Sequence, residues 1–471
     1  MHEAVTANLL IETSISPEVE YDFAHTVLRE VAHEGLTRPR RLEAHRDVFA
    51  LIESHYSGRL EDQSEWLARH AVLGELWEQA GRYQGLGAER AIARGSYDEA
   101  IAGLRSALRS YERSTRSLSA TEHAIDQLGT LRNLLAATEV ASGEGVAALA
   151  RAEELARSVG DQVRLAGVWA HQSAQQWVLG QNIAAIEKAR ASLDIANQTG
   201  DVLLHALALA RLGVALHAVG DFVEAADRLR ECRSLLSGDL RFVRLSTTPT
   251  TSILAGGFLV STLCELGLYD EAERTVDDVT EIATSLRDVH SLGSAQVTRC
   301  ILAVARCDVD AAIHPLEMLR AAAKAAGAVQ ILQIIETLLG RAKLVAGDLP
   351  GALELLKSAS GHGVTQRGSV DRLSNVWFAE ALAASGAVGQ AQTILDRVEV
   401  EAENHAEAAT LVHCWATRGR IAQTVGDAAA AKAAFGRALK AASTLSMRAV
   451  VERCEAGLAA VAAMKIAAPG A

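Results

Sequence analysis

Residues 201–232 read DVLLHALALARLGVALHAVGDFVEAADRLREC. Leu209, Leu212, Gly213 and Leu216 fall on one face of a helix that ends at Gly220. Ala225, Leu229 and Cys232 fall on one face of the helix that follows. Glycine supplies the left-handed backbone that ends a helix, and Asp221 caps the next one. Gly213 and Ala225 let two helix axes approach closely, while the larger residues fill the seam between them. The stretch reads as a helical hairpin.

The same punctuation returns along the chain: Gly, then Asp or a small polar residue, then Ala five positions after the Gly. It stands at Gly95–Ala100, Gly143–Ala148, Gly180–Ala185, Gly220–Ala225, Gly267–Ala272, Gly347–Ala352, Gly386–Ala391 and Gly426–Ala431. Arg306–Ala311 fits with Arg in the glycine slot. The steps from Gly143 to Gly426 average about 40 residues, the signature of a stacked helical array. A second turn, Gly160-Asp161 and Gly200-Asp201, falls between the units.

The close-approach offsets recur as Gly340, Ala352, Leu356 and Ala359, as Gly419, Ala431, Phe435 and Ala438, and as Ala88, Ala100, Leu104 and Ala107. They resemble the tetratricopeptide repeat, from Leu73 to Ala463. The departures are the longer period and the missing terminal Pro, which look like the longer-helix variant of regulatory ATPases of the maltose-activator type. The resemblance implies an all-α fold, a right-handed superhelix of about nine helical hairpins.

Composition agrees. Of 471 residues, 49% are hydrophobic but only 4% aromatic, with six Pro, a helical rather than a strand-rich balance. Forty-six Lys and Arg against 58 Asp and Glu leave a net charge of −12, which argues against a general nucleic-acid binder. No apolar run suits a membrane span, and no basic-then-apolar leader opens the chain. Six scattered cysteines without a CxxC pair suit a reducing, cytoplasmic setting.

The first 60 residues lie outside the repeat. Asn8–Glu12 and Glu18–Phe23 flank a turn with Pro17 and predict a β-hairpin, with helices over Ala24–Leu36 and Pro39–Tyr56. The domain reading is residues 1–60 as a partial winged-helix segment, 61–113 as first repeats, then repeats over 122–237 and 258–463, and a tail over 464–471. Loops are expected at Ser114–Thr121, at Gly238–Gly257 with its Ser246–Ser252 run, and at Gly361–Ser369.

Tyr21–His25, Leu28–Leu36, Arg40–His45, Trp66–His70 and Leu76–Ala80 resemble the end of the winged helix after the core of bacterial signal-transducing ATPases of the STAND type. The strings are most similar to the region following the ATPase in class III adenylate and guanylate cyclases, and similar ones occur in helical-repeat transcription activators. The match covers Glu3–Tyr111. It implies a sensor half of such a protein, either standing alone or as a fragment of a larger ATP-binding cyclase or transcription activator. No GxxxxGK[ST] loop occurs in the sequence, and no cyclase domain or C-terminal helix-turn-helix is recognisable in it. The chain by itself is therefore expected to be non-catalytic and without a cofactor.

In some relatives of the winged-helix family a His at the place of His25 reaches nucleotide phosphate. That role needs a partner that supplies the pocket; otherwise His25 starts a helix. His45-Arg46-Asp47 matches a kinase tripeptide with no other kinase element beside it. No HExxH or paired His spacing points to a metal. In tetratricopeptide folds the first helix of each unit lines the concave groove. Transferred offsets select Trp177, His217, Glu265, Gln296, Thr337, Arg341, Glu380, His413, Arg420 and Gln423 as ligand-facing. Arg341, Glu380 and Arg420 share one offset in three successive units, either a surface for a peptide or polar small molecule or a ladder of interhelix ion pairs. Trp169–Trp177, with two Trp and three Gln, is either a binding face or a core Trp flanked by solvated Gln. The expected partner is a protein, an ATPase or cyclase module among them, or a small-molecule effector, with no direct nucleic acid and no membrane.

Overall fold

The structure is a computed structural model. It describes residues 2–14, 20–114, 117–138, 143–244, 250–326, 328–361 and 368–466. The expected turn at Pro17 and the expected loop residues 246–249 and 362–367 lie outside these, as do residues 467–471 of the tail. The chain falls into two compact units, Met1–Leu131 and Arg132–Ala471.

In the first unit, α1 (His2–Thr6) precedes an antiparallel hairpin of β1 (Leu10–Ser14) and β2 (Glu20–Phe23), with Leu10 opposite Phe23 and Glu12 opposite Tyr21. Then come α2 (Thr26–Glu34), α3 (Arg38–His55), α4 (Ser64–Leu73), α5 (Trp77–Ala93), α6 (Tyr97–Arg113) and the start of α7 (Leu118–Thr138). The core is Phe49, Leu67, Ala71, Ala80 and Tyr83, with the Phe49 ring edge-on to Tyr83. α2 buries none of its residues and leaves Val27 and Val31 exposed.

In the second unit, the rest of α7 leads to α8 (Gly143–Val159), α9 (Gln162–Val178), α10 (Asn182–Thr199), α11 (Val202–Val219) and α12 (Phe222–Leu235). There follow α13 (Thr251–Leu266), α14 (Tyr269–Leu286), α15 (Val289–Ala305), α16 (Val309–Ala325), α17 (Val329–Val345) and α18 (Leu349–Gly361). The last five are α19 (Gly368–Ala384), α20 (Val388–Asn404), α21 (Ala408–Thr424), α22 (Ala428–Thr444) and α23 (Arg448–Ile466). From α9 onward each odd-numbered helix packs on the next odd one, and each even-numbered helix sits against the odd helices on either side. This is the two-layer stacking of a tetratricopeptide-like solenoid, and α9 to α22 make seven hairpins with α23 as the last described helix.

The turns form as their chemistry requires. Gly95, Gly180, Gly220, Gly267, Gly347, Gly386 and Gly426 all have positive φ. Asp161, Asp201, Asp221 and Asp427 each accept backbone N–H bonds at the start of the next helix. Two slots differ from the sequence reading: Gly143 is the first residue of α8 and has no positive φ, and the Arg306 slot is shifted by one residue. Cys307, not Arg306, has the positive φ, and Ala312, not Ala311, is the buried small residue. The expected Gly238–Gly257 loop is also shorter. Residues 238–242 form a 3-10 turn and α13 begins at Thr251, because Thr250–Ser252 are buried at its start rather than solvated.

α11 is long and apolar enough to cross a membrane, but most of it is buried against its neighbours in the array. Its burial places Leu209, Leu229, Cys232 and Leu263 in one core cluster.

The close-approach glycines carry the packing. A Cβ on Gly419 would lie 2.6 Å from the Phe435 ring, and one on Gly457 would lie 2.7 Å from the far edge of the same ring. Gly213 against Leu229 and Gly340 against Leu356 repeat the arrangement, each at 2.6 Å. Ala in place of a helical Gly ordinarily gains up to about 1 kcal/mol. At Gly419 that gain is outweighed by overpacking, which costs about 1–3 kcal/mol. Gly419→Ala is therefore expected to lower the urea midpoint, while Gly436→Ala, with open space around its Cβ, raises it.

Candidate functional site

The offset rule for the groove places its residues on the odd-numbered helices, and the structure brings several together. Glu380 on α19 accepts from Arg341 Nη1 on α17 at 2.8 Å and from Arg420 Nη1 and Nη2 on α21 at 2.5 and 2.7 Å. Burial would raise the Glu380 carboxyl, but Arg420, Arg341 and Arg453 outweigh it and hold it below the usual carboxylate range. Burial, together with Arg341 and Arg453, lowers Arg420 to about 10 despite its contact with Glu380. These three offset residues thus form an ion-pair ladder.

Glu265 meets His413 Nε2 at 3.3 Å. Burial acts to raise Glu265, and His413, by charge and hydrogen bond, together with Arg453 keeps it low. The Trp177 ring stands edge-on to Phe258 at 5.6 Å, and His217 packs against Phe258 and Phe222. The Thr262 hydroxyl donates to the Phe258 carbonyl at 2.7 Å. His217 Nδ1, 3.0 Å from that hydroxyl, must therefore be the donor between them. Burial pushes the imidazole down to about 4, so it is neutral at pH 7. Thr337 is buried and donates to the carbonyl of Gln333. Gln296 and Gln423 are half-buried on α15 and α21.

The array curls until the edge of its early hairpins meets its late ones. His405 Nδ1 donates to the carbonyl of Gly180 at 2.8 Å, and Asn182 Nδ2 donates to the carbonyl of His405 at 2.9 Å. Farther along, a cavity of about 480 Å³ lies between the halves, lined by Val223, Leu266, Leu268 and Val451 beside Arg230 and Arg448. Phe222 from α12 is buried in the C-terminal core with Val412 and Met447. The seam is thus apolar packing closed by a few directional hydrogen bonds.

The Trp169–Trp177 stretch divides. Trp169 Nε1 and Gln172 Nε2 both donate to Glu153 on α8, at 3.0 and 2.8 Å, with Arg157 and Lys188 over the Trp169 ring. α20–α22 repeat the device: Trp415 Nε1 and Arg418 donate to Glu399, with Arg437 over the Trp415 ring. Trp169 is therefore a packing residue, and only the Trp177 end joins the inner aromatic cluster. Burial would raise Glu153, but the hydrogen bonds from Trp169, Gln172 and Arg157 and the charge of Lys188 hold it at about 2. A depressed carboxyl stabilises the fold above its unfolded pKa of about 4.3, and that stabilisation is lost as pH falls toward 2. Melting curves between pH 5 and 2.5 are expected to fall more steeply for the wild type than for Glu153→Gln.

Sequence reasoning missed a group nearer the start of this unit. His171 on α9 and Arg211 on α11 each stand nine residues before a turn glycine, Gly180 and Gly220. Arg132, on α7, is only 8% exposed. Burial and the neighbouring Arg211 lower Arg132 to about 10, and burial with both arginines pushes His171 down to about 3.

In the first unit, His25 is exposed at the start of α2 and makes no capping bond. His45 lies between His33 and His70 in a chain of ring-nitrogen contacts of 3.2 and 3.1 Å, and Arg46 Nε donates to the carbonyl of Gly74. His45 uses one nitrogen toward each neighbour, so the three rings do not converge on one point. Among the described residues no group of three His, Cys, Asp or Glu is placed to hold a metal ion.

No protein-family model matches the chain, and no curated protein matches it. Among solved structures it is similar to a tetratricopeptide repeat protein from Parabacteroides merdae, with 16% identity over 62% of this chain and 97% of that one, at a TM-score of 0.36. It is also similar to the apo form of RapI, with 9% identity over 77% of this chain and 97% of that one, TM-score 0.47. The apo form of the quorum sensor NprR from B. thuringiensis is another, with 13% identity over 76% of this chain and 97% of that one, TM-score 0.43. At these values the likeness is one of architecture alone.

Proposed function

We propose that the chain is a non-catalytic regulatory module that binds a protein or peptide, or a small effector, along the inner odd-numbered helices. Binding is read out as a change in curvature at the seam between early and late hairpins. The observation that carries this reading is the inner row itself. Trp177, His217, Glu265, Arg341, Glu380, His413 and Arg420 come from α9, α11, α13, α17, α19 and α21 and interact there. Nothing in this row pairs a nucleophile with a base poised for turnover. A ligand that prefers one curvature shifts the equilibrium by its differential affinity for the two states, and the Gly180–His405 contacts are what such a shift would break or make.

A photoactivatable amino acid at position 175, half-buried on α9, tests the reading against one at position 432, exposed on α22. A discrete adduct in cells from position 175 alone is the expected result. Adducts from position 432 only, or enzymatic turnover that disappears on Glu380→Gln, would sink it.

A second reading, a link to an ATPase or nucleotide cyclase, is favoured by the hairpin followed by α2 and α3 in the stretch whose residues resemble the winged helix. An immunoblot of the source cells against the repeats tests it, since the chain itself is 49.9 kDa and a cyclase-linked product would run well above that.

A further inference from the structure

Among the described residues, the guanidinium groups of Arg132 and Arg211 in the second unit have no acidic partner. Among the described residues, Arg211 makes no hydrogen bond or ion pair; the residue is half-buried, with its Nε buried and without a partner. Arg132 donates only to the amide oxygen of its neighbour Asn133, at 3.2 Å. His171 Nδ1 is also buried and unpaired, and the charges of Arg132 and Arg211 both act on its ring. His171 and Arg211 hold equivalent places on successive inner helices that pack on each other, α9 and α11. By contrast, Arg341 and Arg420 share Glu380, and Arg372 binds Glu407. A buried cation is costly unless paired, and a planar guanidinium pair matches the oxygens of a carboxylate or phosphate. The acidic balance of the whole chain makes the local excess of positive charge more pointed.

We propose that Arg132, Arg211 and His171 form a site for an oxyanion, the carboxylate or phosphate group of a ligand lying on the inner helices. Both arginines donate to the anion oxygens, and neutral His171 donates beside them through the ring nitrogen that carries its proton. The proposal rests on reading the inner face as the binding surface and adds the ligand's chemical class. It also accounts for the unpaired groups, which the inner ion-pair ladder does not.

The test uses the full chain with inorganic phosphate and succinate as probes, each against chloride at equal ionic strength. Phosphate also raises melting temperatures non-specifically by exclusion from the surface, so the comparison is between wild type and Arg211→Met under the same salts. In chloride, Arg211→Met should melt higher than wild type, because an unpaired cation has been replaced by an apolar chain of similar length. One or both probes should raise the wild-type melting temperature by more than they raise that of the variant. Calorimetry should show at least tenfold weaker binding to the variant. A response to phosphate alone assigns a phosphorylated ligand, and one to succinate alone a carboxylate ligand. Arg132→Met serves the same comparison if Arg211→Met does not fold. Equal responses in wild type and variant, or a variant that melts lower in chloride with unchanged probe binding, overturn the site. In that event an adduct from position 175 would leave the wider binding reading standing.

Discussion

Glu407→Ala is expected to destabilise the helical array by about 3–5 kcal/mol, the usual cost of orphaning one member of a buried ion pair. Glu407 has no exposed surface. Its carboxylate takes a two-pronged contact from Arg372, with Nε at 2.7 Å and Nη2 on the other oxygen, and a third bond from the Thr410 hydroxyl at 3.1 Å. It sits at the N-terminus of α21, so the carboxylate also faces the positive end of a helix. Removing it leaves the Arg372 guanidinium enclosed between α19 and α21 with nothing to replace water. The double variant Arg372→Met, Glu407→Leu should recover most of the loss, because the desolvation penalty disappears with both charges. Urea unfolding with an unchanged slope is the measurement. A loss below about 1 kcal/mol for Glu407→Ala would show that water reaches Arg372, since that is the range of exposed pairs.

The hairpins were legible because a left-handed turn and a close helix approach each demand a small residue, and the demand repeats with the unit. Gly213, Gly340 and Gly419 each face a large side chain sixteen residues on, Leu229, Leu356 and Phe435. The reading slipped at Arg306 because its repeat has no glycine. There the left-handed slot falls on Cys307, a residue type with no turn signal of its own. Curling of the array was not legible at all. Gly180 and His405 lie 225 positions apart, and periodicity carries no information on which turns meet. Of the groove offsets, Arg341, Glu380 and Arg420 meet in one ladder, Glu265 meets His413, and Trp177 and His217 share Phe258. Arg132 and Arg211 were passed over, and His171 was noticed only as part of the Trp169–Trp177 stretch, because their distinguishing property is the lack of an acid nearby. That is a fact of three-dimensional neighbourhood, although the common offset of His171 and Arg211 from Gly180 and Gly220 was already in the sequence.

The contrast between paired and unpaired inner cations makes Glu380 the other residue of large effect. Glu380→Ala removes the single carboxylate that Arg341 and Arg420 share, and Arg453 adds its charge to theirs. Full burial would set the loss near the top of the ion-pair range. Arg420 keeps about a third of its side chain exposed, so the expected loss is about 2–4 kcal/mol after solvent screening. Because the Glu380 carboxyl is held below its ordinary range, its stabilising contribution is present above pH ~4.3 and fades as acid protonates it. Glu380→Gln should therefore melt lower than wild type at pH 7, with the difference narrowing below pH 4. High salt should narrow it only partly, since the pair is screened less than a surface one. The sign is opposite to that expected for Arg211→Met, and the pair of variants separates two roles for an inner-face charge. A cation whose anion is built into the chain is needed for the fold. A cation without one is tolerated at a cost that a ligand can offset.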